Sequence, residues 1–140
     1  MFVVIDTNVI VSALLSKGLD SPPARVVDAL MSQKFIPLYH PEIIDEYEDV
    51  LNRPKFHFNP DKVRRIIDQI KLEGREIFPA PSGESFVDKS DLIFYEVAMD
   101  KQDEHAWLVT GNMRHYPARH FIMTPTEFMD MLDSYGKKRQ

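Results

Sequence analysis

Asp6, Thr7 and Asn8 break a segment, FVVIDTNVIVSALLS over residues 2–16, that is otherwise almost wholly apolar. A buried, unpaired carboxylate is costly or takes up a proton, so something must offset Asp6. A second apolar run, AWLVT over 106–110, ends in Thr110, Gly111 and Asn112. Both runs read as strands, and both deliver small oxygen-bearing side chains to a carboxyl end, where open α/β sheets bind their ligands. Asp91 is a further candidate because it heads the helical row Asp91, Phe94 or Tyr95, Ala98, which otherwise packs inward. Its simpler role is a favourable charge at a helix start. For a third acid, the segment 42–52 offers Glu42, Asp45, Glu46, Glu48 and Asp49. The apolar stripe there centres on Tyr47 with Glu46 and Glu48 at its two edges, and periodicity does not choose between them.

Such a set is oxygen chemistry: carboxylates, amides and hydroxyls of the kind that hold Mg²⁺ or Mn²⁺. Other chemistries are excluded. There is no cysteine, which removes disulfides, thiolate metal sites and cysteine nucleophiles and fits a reducing compartment. The five glycines lie too far apart for a dinucleotide or phosphate loop. No HExxH, GxSxG or EF-hand pattern occurs, and the five histidines show no ligand spacing.

The elements that must position these residues alternate. Phe2 to Ile5 predicts a short buried strand, and Val9 to Leu15 a helix stopped by Gly18. Ser21 with the following prolines opens a second helix. Phe35 to Tyr39 reads as a strand that Pro37 places near an edge or shortens. Amphipathic helices follow over 42–52 and from Asn59-Pro60 to Gly74. Residues 79–90 have loop composition, Leu92 to Met99 a buried helix with Asp91 in its first turn. Strands over 106–110 and 121–123 precede a last helix, capped by Thr124 with Pro125 first and Glu127 three residues on. Strands alternating with helices imply a parallel sheet covered on both faces.

The 140 residues suit one domain, 1–140, with 44% apolar residues for its core. The longest apolar run is far too short for a membrane span, and the start MFVVID lacks the basic region of a signal peptide, so a cytoplasmic protein is expected. The net charge of -5 argues against nucleic acid, though only weakly, because carboxylates that gather metal ions present positive charge to a phosphate. Basic residues still cluster locally: Arg53, Lys55 and His57; Lys62, Arg64 and Arg65; Arg114, His115, Arg119 and His120; and the tail Lys137, Lys138, Arg139. Each reads most simply as solvated surface.

The segments VVIDTNVIVSALLS, PEIIDEYEDVLNRPKF, DKSDLIFYEVA, WLVTGN and TPTEFMDML, in this order, resemble the PIN-domain nucleases, specifically their toxin-like bacterial and archaeal branch. The resemblance spans nearly the whole chain. It implies a three-layer α/β/α fold on a five-stranded parallel sheet of order 3-2-1-4-5. It also implies a Mg²⁺- or Mn²⁺-dependent endoribonuclease with an acidic pocket at the strand ends. Position by position, the family's three acids fall on Asp6, Glu46 and Asp91, which selects Glu46 over Glu48, and its site hydroxyl falls on Thr110. The fourth acid falls on Asn112, whose amide ligates or holds water but brings no charge and no base. One metal is therefore expected on Asp6, Asp91 and, directly or through water, Glu46, with Asn8 and Thr7 orienting them and Arg114 and His115 steering the RNA backbone. The resemblance further implies a small antitoxin partner covering the pocket, and a homodimer.

Two other readings stand beside it. The start VVIDTNV is similar to that of aspartate-nucleophile phosphatases, but their second Asp is Asn8 here, leaving no acid for the leaving group. Alternatively, Asn112 marks an inert domain of this kind that binds RNA or protein.

Overall fold

A computed structural model describes residues 1–138; Arg139 of the basic tail lies outside them. The chain runs β1 (Phe2–Ile5), α1 (Thr7–Leu15), α2 (Pro22–Met31), β2 (Ile36–Tyr39), α3 (Pro41–Leu51), α4 (Pro60–Glu73), β3 (Arg75–Glu76), α5 (Lys89–Asp100), β4 (Trp107–Val109), β5 (Ile122–Met123) and α6 (Pro125–Lys138). The five strands form one parallel sheet in the order 3-2-1-4-5, as the resemblance implies.

That order fixes the layers. The chain steps one way from β1 through β2 to β3, then returns across the sheet to β4 and β5. Right-handed crossovers put the helices of opposite steps on opposite faces. Accordingly α5, which makes the return, lies on β1, β2 and β4, while α2 packs among α1, α4 and α6. The largest fully buried side chains include Tyr47, Tyr95, Phe94 and Phe128. Each such ring contributes roughly 1.5–3 kcal/mol of burial. The two phenol groups are not left bare, because Tyr47 donates to the Ile5 carbonyl and Tyr95 to Glu84 Oε1 at 2.9 Å.

β3 is not expected from the residues around it, and three further elements differ from the sequence expectation. The first helix begins at Thr7, two residues early, because Asp6 is at once the residue after β1 and the N-cap. The helix of Asp91 begins at Lys89 behind an Asp88 cap whose side chain accepts from the Ser90 amide at 3.0 Å. The strand carrying Pro37 is interior, between β1 and β3. Alternate residues of a parallel strand donate to opposite neighbours. Ile36 N already bonds Met1 O, and β3 pairs only from Leu38 and Tyr39 onward, so no partner asks Pro37 for a proton. Gly74 is what brings β3 in so close: a Cβ there would meet Ile70 O at 2.2 Å and Pro37 O at 2.6 Å.

The start of α6 has the predicted reciprocal cap, with Glu127 N donating to Thr124 Oγ1 at 3.2 Å and Thr124 N to Glu127 Oε1 at 3.0 Å. Thr124→Ala removes one of these bonds and is expected to cost about 1 kcal/mol. Thermal unfolding would then shift down by about 3 °C.

Candidate active site

In a sheet of order 3-2-1-4-5 the chain leaves β1 and β4 in opposite directions, which opens a crevice beyond their carboxyl ends. Asp6 follows β1, and Thr110 to Asn112 follow β4. Asp6 is 4% exposed, and although the backbone N–H groups of Thr7 and Asn8 favour its charged form, its strongest partners lie elsewhere than at the start of α1. Its Oδ2 instead accepts from Thr110 Oγ1 at 2.8 Å, Tyr116 Oη at 2.9 Å and Asn8 Nδ2 at 3.2 Å. Three donors on one oxygen fix the plane of the carboxylate, and the backbone N–H groups of Thr7 and Asn8 add to the interactions that favour its charged form.

The fully buried Thr110 is the pivot of this arrangement, since it donates to Asp6 while accepting from the backbone N–H of Asn112 at 3.0 Å. Asn8 ties the two strand ends together, accepting from Gly111 N at 2.9 Å. A Cβ at Gly111 would sit 3.2 Å from that Asn8 oxygen, so glycine suits the close approach. Thr7, also buried, has its Oγ1 without a partner among the described residues.

The other acids feel Asp6. Burial, then the charges of Asp6 and Asp88, push the Asp91 carboxyl up to about 6, and the His115 ring at 3.1 Å offsets this in part. Glu46 is also raised, first by burial and then by Asp49 and Asp88, with Asp6 adding to the effect and Arg53 opposing it. Asp6 itself is raised by burial against its hydroxyl donors. Of the two glutamates that the helical stripe left open, Glu46 is half-buried and within the field of Asp6, whereas Glu48 is exposed and accepts at its backbone carbonyl from Asn52 in the last turn of α3.

Two residues of this neighbourhood escape a reading of the sequence. Tyr116 lies in an irregular stretch with no periodicity to reveal it, and Asp88 stands out only as a helix cap. Arg114 and His115 line a depression of about 230 Å³ with Val87, Asp88 and Asp91. His115 is therefore committed to Asp91 as much as to any ligand.

Among the described residues no three His, Asp or Glu side chains form a ready-made cation cage. The set nonetheless fits a hard divalent ion of the Mg²⁺ kind, which is commonly held by one or two carboxylates, waters and substrate phosphate. Asp6 and Asp91 repel one another, and the hydroxyl of Thr7, the residue after Asp6, is buried without a partner among the described residues. Each feature is relieved by positive charge or by a hydrated ion.

A family model for the PIN domain matches residues 2–114. No curated protein and no solved structure gives a significant match.

Proposed function

Because the chain belongs to the PIN domain family, a family of nucleases, we propose that it is a metal-dependent endoribonuclease, the toxin of a type II toxin–antitoxin module. The observation that carries the reading is Asp6, a buried carboxylate held on one oxygen by Thr110, Tyr116 and Asn8 and repelling Asp91 across the crevice. Mg²⁺ or Mn²⁺ held by Asp6 and Asp91 would polarise the phosphate and acidify a bound water. Thr110, Tyr116 and Asn8 keep Asp6 turned toward the crevice. Glu46 accepts the proton of the attacking water, and burial beside other acids raises its basicity for that task. Arg114 and His115, on the rim beyond Asn112, face the RNA backbone.

The test is cleavage of single-stranded RNA by the purified protein with Mg²⁺ or Mn²⁺ and its loss in EDTA. Absence of metal-dependent cleavage would sink the reading. The toxin role predicts growth arrest on expression and its relief by a small co-expressed antitoxin. The cytoplasm is the setting that role requires, and no described helix is long and apolar enough to cross a membrane. The homodimer is tested by sedimentation.

One observation favours a second reading, an inert RNA- or protein-binding domain: Asn112 is exposed and neutral at the fourth acidic position. Asn112→Asp is expected to tighten Mn²⁺ about tenfold, equivalent to about 1.4 kcal/mol from one added charge. Calorimetry reads the affinity, and a cleavage rate that stays level shows the fourth acid to be dispensable. Cleavage seen only in the variant would favour the inert domain. The phosphatase reading loses ground, because Asn8, in place of its second acid, is spent on Asp6 and Gly111.

A further inference from the structure

Between α3 and α4 the chain reads RPKFHFN over residues 53–59, a segment that contributes no side chain to the acidic site. Phe56 and Phe58 stack with centroids 5.0 Å apart and planes 4° from parallel. His57 between them has φ 54°, a left-handed conformation uncommon outside glycine. This one residue reverses the chain so that the two rings on either side of it meet. Both rings are only half-buried, and Phe58 alone leans on the core. Strain of this sort persists where the surroundings or a function maintain it.

The surroundings are basic. From Arg53 to Arg65 there are five Lys or Arg against one Asp, in a chain whose net charge is -5. Lys55 Nζ sits 5.1 Å from the Phe56 ring centre. A surface cation over a ring is held more weakly than a stacked nucleobase, so a base can displace it.

The segment also stands on the side of the acids. Tyr39, the last residue of β2, donates to Lys71 O at 3.5 Å near the end of α4. The helix reaches back from Lys71 to Pro60, about 16 Å at 1.5 Å per residue. Because α4 descends to the start of β3, its first turn and the residues before it project beyond the carboxyl edge of the sheet. Arg53, which donates to Asp49 Oδ2 at 3.1 Å, is close enough for its charge to act on Glu46, which in turn senses Asp6.

We propose that residues 53–59 are a landing platform for single-stranded RNA, with unpaired bases stacking on Phe56 and Phe58 and phosphates facing Lys55 and the basic first turns of α4. Duplex RNA keeps its bases inside and gains little from such a surface. The acidic crevice repels a phosphate backbone in the absence of metal, and the basic projection offsets that repulsion where the strand first arrives. The inference rests on the nuclease reading for its substrate, but its test is separable.

Binding of a fluorescein-labelled oligouridine is measured by anisotropy in EDTA, with an RNA hairpin as the duplex control and 2-aminopurine fluorescence as a reporter of stacking. Phe56→Leu and Phe58→Leu keep apolar bulk and remove the ring face. Each is expected to weaken the single strand about tenfold, to spare the hairpin and to abolish 2-aminopurine quenching. Phe56→Trp restores both signals, which a purely structural role would not do. The loss persists at high salt, whereas that of Lys55→Gln fades. Leucine variants with native melting that bind oligouridine like the parent protein overturn the inference, whether or not the protein cleaves RNA. So do variants that leave RNA binding intact and shift a monomer–dimer equilibrium, because the rings then serve a second copy. Ring-dependent binding by a protein that cleaves nothing upholds the platform and removes the nuclease.

Discussion

Asp6→Asn is expected to lower RNA cleavage by on the order of 10³-fold or more, equivalent to about 4 kcal/mol of lost barrier reduction. The amide keeps the size of the carboxyl group, and its one oxygen can take the place of Oδ2 before Thr110, Tyr116 and Asn8. Its NH₂ then faces the crevice, a donor where a cation requires an acceptor. The fold should not suffer. Burial already disfavours the charged form of Asp6, so replacing it with a neutral group of equal shape removes a penalty while keeping the hydrogen bonds. The variant should therefore melt at or above the parent temperature while losing its activity. Activity assays and thermal unfolding on identically prepared proteins check both halves, and the shared preparation excludes contaminating ribonuclease. Cleavage at the parent rate would refute the role of Asp6, and loss of activity together with loss of folding would make Asp6 structural.

How far the chain discloses this site before it folds depends on how each residue signals itself. Asp6 is conspicuous because a lone acid in an apolar strand violates the pattern around it, and Asn8 and Thr110 are found by standing beside strand ends. Glu46 is only half legible. Helical spacing narrows five acids to Glu46 and Glu48, and only once α3 packs against α5 is Glu46 half-buried and within the field of Asp6 while Glu48 is exposed. Tyr116 is silent, because it reaches Asp6 from an irregular loop 110 residues away in sequence, and no local periodicity encodes that return.

The fold follows the same division. Strands and helices with clear periods fall where their residues place them, to within two residues for α1. The fifth strand does not announce itself: β3 is Arg75–Glu76, exposed and charged, and it exists because Gly74 lets the backbone approach Pro37. Pro37 shows why a propensity rule can mislead. Proline harms a strand only where its missing proton is needed, and here the neighbour begins one residue later.

Asp91→Asn also separates stability from activity. The unfolded chain releases the Asp91 proton near 3.8, whereas the folded protein holds it to about 6, so between these values folding takes up a proton. Stability of the metal-free protein therefore falls as pH rises from about 4 to about 6 and then levels. A carboxyl held at about 6 corresponds to at most about 3 kcal/mol, and contact with crevice water reduces this to about 1–2 kcal/mol. In EDTA the variant should match the parent at pH 4 and exceed it by that amount above pH 6.5, seen as a melting temperature higher by about 3–6 °C. Divalent ion reverses the order. At Mn²⁺ a hundredfold above its dissociation constant the parent gains about 2.7 kcal/mol by linkage, and the variant, short of one carboxylate, gains little. Cleavage in the variant should fall on the order of 10²-fold to 10³-fold. A parent whose melting temperature ignores Mn²⁺, or a variant that responds to it equally, would remove Asp91 from the ion's shell and leave its burial without a function.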